Sequence, residues 1–79
     1  MKNKFVVKLN NIETLKNFIS DISKFESNID AIRGRYVIDA KSIMGMFSID
    51  LSQPVDILIY SDNERELEKF EEIMKKYEV

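Results

Sequence analysis

Two apolar periods constrain this chain more than any other feature. In some segments apolar residues recur at every second position, in others at every third or fourth, and the segments interleave along the chain. Lys4–Leu9 puts Phe5, Val7 and Leu9 on one face and Val6 and Lys8 on the other, which predicts a strand. Ile12, Leu15, Phe18, Ile19, Ile22 and Phe25 then share one helical stripe, with Lys16, Asp21 and Lys24 elsewhere on its surface. Asn10 and Asn11 are good caps for that helix, and Glu13 stands where it can return a hydrogen bond to Asn10.

The pattern continues to the last residues. Ser27–Ile32 reads as a second strand with Ile29 and Ala31 inward, Arg33-Gly34-Arg35 as its turn, and Tyr36–Ala40 as its hairpin partner. Ser42 suits the N-cap of a short helix through Phe47 or Ser48. Pro54 opens a fourth strand, Val55–Tyr60, with Val55, Ile57 and Ile59 facing the core. Ser61-Asp62-Asn63-Glu64 offers a capping box for a final helix striped by Leu67, Phe70, Ile73, Met74 and Tyr77. Lys75 and Lys76 fall in its last turns, where they suit the helix dipole. The order β-α-β-β-α-β-α predicts an α+β fold, a four-stranded antiparallel sheet with helices on one face.

Composition narrows the function. Seventy-nine residues are expected to form one domain, 1–79, and 44% hydrophobic content is enough for a core. Cysteine and histidine are both absent, which removes disulfides, thiolate nucleophiles, imidazole acid–base chemistry and the usual zinc sites together. No cofactor is expected. The net charge of −2 lacks the basic excess that phosphate contacts demand, so nucleic acid is not an expected partner. No apolar run approaches the roughly 18–20 residues that span a bilayer, and the apolar stretch after the basic start is too short for a signal peptide. A cytoplasmic protein is expected.

Three stretches, in order, carry a resemblance: "KFESNI" at Lys24–Ile29, "KSIMG" at Lys41–Gly45 followed by Ser48–Leu51, and "DNERELEKFEEIM" at Asp62–Met74. Together they resemble HPr, the histidine-containing phosphocarrier of the bacterial sugar phosphotransferase system. The resemblance implies an open-faced β-sandwich of this same element order. It also implies two sites: a phosphate-carrying histidine in a G-L-H-A-R-P-A motif, and a regulatory serine in K-S-I-M-G.

Laid over the first motif without gaps, Leu9–Leu15 puts Asn11 at the histidine and Glu13 at the arginine. An amide nitrogen has no basic lone pair to take phosphate, and a carboxylate repels the dianion that arginine would pair. Asn11 also serves simply as a helix cap. The second motif is intact at Ser42, with Ile43, Met44 and Gly45 following. A phosphate there, about −2 in charge, would meet the free N–H groups of the helix start. The same serine equally serves as an unmodified cap.

The expectation is a non-enzymatic HPr-like regulator or adaptor tied to sugar transport and catabolite repression. Its docking residues would be Asn11, Ile43, Met44, Met46 and Phe47, with Ile43 or Phe47 packing on the sheet. The partners expected from the resemblance are proteins, HPr kinase or a transcriptional regulator among them. Two alternatives stand beside it. One is a structural or self-associating module; the other is a divergent phosphotransferase component using Ser42, Thr14 or a carboxylate.

Overall fold

The computed structural model describes residues 2–79. Its elements are β1 (Lys4–Val7), α1 (Ile12–Ile22), β2 (Ile29–Arg33), β3 (Tyr36–Asp39), α2 (Ile43–Met46), β4 (Val55–Ile59) and α3 (Glu64–Met74). The strands form one antiparallel sheet in the order β1-β4-β2-β3. A single cross-strand row, Phe5–Ile57–Ala31–Ile38, runs through all four strands on the helix-bearing face. The next row, Val6–Asp56–Ile32–Val37, lies on the open face. Alternation along each strand separates the two.

Phe5, Val7, Ile29, Ala31, Val55, Ile57 and Ile59 are buried from the sheet side. Leu15, Phe18 and Ile22 of α1 and Leu67, Phe70 and Met74 of α3 close over them as one core. Phe70 is its hub, meeting Phe5 edge-on at 5.5 Å and Phe25 at 5.4 Å between ring centroids. Such pairs add about 0.5–1.5 kcal/mol beyond burial itself.

The hairpin turn requires its glycine. Gly34 has φ +62 at the first of two turn residues, while Arg35 keeps a negative φ, which is the requirement of a type II′ turn. Farther on, Lys76 and Tyr77 both donate to the Asp21 carboxylate at 2.7 Å, pinning the tail of the chain to α1.

Four local expectations are corrected. Ile12 leaves the core stripe and is 55% exposed, because it turns toward Phe47 and Leu51 at the edge of the core. Of the two candidate caps Asn11 is the one used, so the expected return bond from Glu13 fails, Glu13 being one position too early to answer it. Asn63 caps α3 in place of Ser61, whose hydroxyl instead accepts from the Asn63 N–H. Glu66 does not fold back on that cap because Ser27 holds it. Lys75 and Lys76 lie beyond the last helical residue, Met74.

Candidate functional site

Asn11 sits where the chain leaves β1 and turns into α1. Its backbone is extended, and its side-chain oxygen accepts from the Thr14 N–H at 2.8 Å. Glu13 is exposed on the same turn. The position therefore presents a cap already satisfied by backbone, with a carboxylate beside it.

Ser42 is built by the turn out of β3. One Asp39 carboxylate oxygen accepts from the Lys41 N–H, and the Asp39 carbonyl accepts from the Ser42 N–H, both at 3.0 Å. The Gly45 N–H then donates to Ser42 Oγ at 3.1 Å, the expected capping bond. Lys41 reaches back to the Phe25 carbonyl and ties this turn to the end of α1. Ser42 itself remains partly exposed.

Gly45 is set by close approach. A Cβ at this position would stand 2.6 Å from Ile38 Cγ2, so α2 lies against β3 only because residue 45 has no side chain. That contact drives Met46 into the core, where it is completely buried. Met46 thus offers nothing to a partner, and of the two residues expected to pack on the sheet, Phe47 is half exposed while Ile43 is partly buried. In a one-turn helix wedged against a sheet edge, only one apolar side chain points straight down. Ile43 is partly buried, whereas Met44 is 80% and Phe47 50% exposed.

The start of α1 and the end of α2 do meet. A shallow depression of about 210 Å³ is lined by Asn10, Asn11 and Ile12 on one side and Phe47, Leu51 and Ser52 on the other, floored by Leu9 and Leu15. Asn11 and Phe47 are brought together, while Ser42 stands at the far end of α2. Ile12, Leu51 and Ser52 are members that the sequence reading missed. Ile12 sat in phase with a core stripe, and Leu51 and Ser52 lie in a loop with no period to flag them.

A larger cleft of about 790 Å³ lies between the end of α1 and α3. Its cations, Lys24, Arg65 and Lys69, are balanced by Glu26, Glu66 and Glu72, and neither Asn11 nor Ser42 lines it. The Ser27 hydroxyl and N–H donate to Glu66 and hold its carboxyl below the usual range. Among the described residues, no cluster of acidic side chains is placed to hold a metal, and no helix is long and apolar enough to cross a membrane. Among the described residues, the hydrogen-bond partner of the Ser42 hydroxyl is the Gly45 N–H.

Comparison with known proteins bears on this arrangement. The family model for the PTS HPr component phosphorylation site matches residues 14–78. The chain belongs to the HPr family. HPr from Thermoanaerobacter tengcongensis (HPr-C-His) superposes with a TM-score of 0.72 at 25% identity, covering 96% of this chain and 93% of its own. The phosphocarrier HPr of Bacillus anthracis gives 0.71 at 21% identity, covering 95% and 93%. The histidine-containing phosphocarrier protein of Mycoplasma gives 0.67 at 21%, covering 92% of each chain. A search of curated proteins found no match. HPr phosphocarriers of the phosphotransferase system are carriers rather than enzymes, and they act by meeting other proteins of that system. The matched span contains the whole Ser42 segment and begins at Thr14, three residues beyond Asn11.

Proposed function

We propose that this HPr-family chain is a non-catalytic regulator or adaptor of the phosphotransferase system. In this reading it meets protein partners in the cytoplasm through the face made by α2 and the start of α1, under control of phosphate on Ser42. The observation that carries it is the state of the two family positions. Ser42 is present, partly exposed, and stands at the head of a helix that exposes Met44 and Phe47. At the other, the resemblance aligns Asn11 with the family's histidine, and the chain contains no histidine.

The docking face consists of Asn11, Ile12, Met44, Phe47 and the partly buried Ile43, with Leu51 at its border. Exposed methionine suits a surface that must adapt to a partner, because its unbranched side chain repacks at low cost. Phosphate on Ser42 would add about two negative charges at the end of α2 remote from Phe47, next to the Asp39 carboxylate. It would therefore change the electrostatics of the face without entering the core.

Incubation with HPr kinase and ATP, followed by intact-mass measurement, tests the reading. One phosphate that is lost in Ser42→Ala is the expected result. An unmodified protein would remove the regulatory assignment and leave the exposed Met44–Phe47 surface as a site of self-association. In a transfer assay with phosphoenolpyruvate and the upstream enzyme of the system, no acid-labile phosphate should form. Its appearance would return the chain to the carriers.

A further inference from the structure

The two edges of the sheet are treated differently. The outer edge of β1 is closed by the chain's own tail: the Lys8 N–H donates to the Tyr77 carbonyl, and the Val79 N–H to the Val6 carbonyl. β3 has no such cover among the described residues, and its Tyr36 and Val37 are 62% and 60% exposed. Natural edges are commonly blunted by lysine, proline or a bulge. Tyr36–Asp39 contains neither residue and its register with β2 is unbroken, so its only protection is its four-residue length and the charge of Asp39.

The ladder shows which backbone groups of β3 are open. The Ala40 N–H donates to the Ile29 carbonyl at 2.9 Å, making that opposed pair hydrogen-bonded. Antiparallel pairs alternate, so Ala31·Ile38 and Arg33·Tyr36 are hydrogen-bonded too, whereas Ile32·Val37 and Asp30·Asp39 are not. The N–H and C=O of Val37 therefore point away from β2 into solvent.

Charge on the open face supplies the second observation. Asp30 and Asp39 stand directly opposite each other across β2 and β3, an unfavourable like-charge pairing. Asp30 accepts from the Tyr60 hydroxyl and one oxygen of Asp39 accepts from the Lys41 N–H, but among the described residues neither has a cation within ion-pair distance. Arg35 is exposed at the other end of the same edge, also without an ion-pair partner among the described residues.

We propose that β3 is the contact of a weak homodimer, two copies pairing antiparallel about a two-fold axis through Val37. Opposed side chains in a continued sheet share a face, so the axis must pass through a residue rather than between two. With the axis at Val37, the two Val37 residues exchange their free N–H and C=O groups. Arg35 of each copy then lies opposite Asp39 of the other and supplies the counter-ion that the acidic pair lacks. On the helix-bearing face, Tyr36 meets Ile38. Moving the axis to Ile38 would set Arg35 against Lys41, a like-charge pairing, and would put Val37 opposite Asp39, whose carbonyl already accepts from the Ser42 N–H. A four-residue edge buries far less than a standard interface, so the dimer is a weak one.

Sedimentation equilibrium of the full chain, from micromolar to roughly millimolar concentration, reads the association. A concentration-dependent dimer is expected. Val37→Pro removes only an outward N–H and should leave a folded monomer by far-UV circular dichroism. Arg35→Glu places like charges opposite each other twice and should weaken the dimer by roughly tenfold or more. Adding Asp39→Lys to Arg35→Glu should restore it. A monomer across the whole range overturns the proposal. So does a dimer that survives both Val37→Pro and Arg35→Glu, since the copies would then meet through another face, such as Met44 and Phe47.

Discussion

Gly45 shows how one missing side chain positions the candidate site. Its Cβ vector runs into Ile38 Cγ2, a methyl fixed close to the backbone of β3 rather than the tip of a flexible chain. In an open helix Gly→Ala stabilises by about 1 kcal/mol, but here the added methyl must push α2 off the sheet. We expect Gly45→Ala to destabilise by about 1–3 kcal/mol in urea unfolding, the range for overpacked contacts. Gly45→Ala combined with Ile38→Ala should recover part of that loss relative to Ile38→Ala alone. A simple sum of the two single losses would show that the 2.6 Å approach does not set the packing. Ser42 and Gly45 were legible in the sequence as a motif, but the reason for the glycine was not. Nothing in the order of residues says that Ile38 lies beneath it.

At the scale of elements, the tail is latched to α1 by one carboxylate. Asp21 accepts from Lys76 and from Tyr77, and these bonds hold its carboxyl below the ordinary aspartate value, Lys76 contributing most. Burial first, and then the Asp21 bond, push the Tyr77 hydroxyl up. A depressed folded-state carboxyl stabilises the protein above its unfolded pKa, near 3.8, and that stability is lost as pH falls through the lower folded value. Asp21→Asn should therefore cost about 1 kcal/mol at neutral pH, in line with charge-assisted hydrogen bonds at a partly exposed site. The difference from the parent should close below about pH 4 as the parent carboxyl takes up its proton. An unchanged gap in acid would mean that the charge of Asp21 is irrelevant to the latch. Helix stripes and strand alternation were readable because period is a local property. The caps were readable only as candidates, since Asn10 against Asn11 and Ser61 against Asn63 differ by where tertiary packing starts the helix.

Across the whole molecule, burial divides neighbouring apolar residues into core and surface. Phe70, wholly buried and stacked edge-on between Phe5 and Phe25, should cost about 3–5 kcal/mol on truncation to alanine. Met46→Ala should cost about 2–5 kcal/mol, whereas Met44→Ala, two residues away, should stay within about 0.5 kcal/mol. Denaturant unfolding of the three variants checks this partition, and a costly Met44→Ala would remove that residue from the docking face. Segment order, fold class and the Phe70 stripe were determined by sequence, through spacing and residue chemistry, as were the intact serine motif at Ser42 and the lack of any histidine. Only tertiary structure decided which methionine of α2 is core, that Ile12 leaves its stripe for the Phe47 depression, and that, among the described residues, one sheet edge is covered while the other is open. Those outcomes depend on contacts between residues distant in the chain, where period and propensity carry no information.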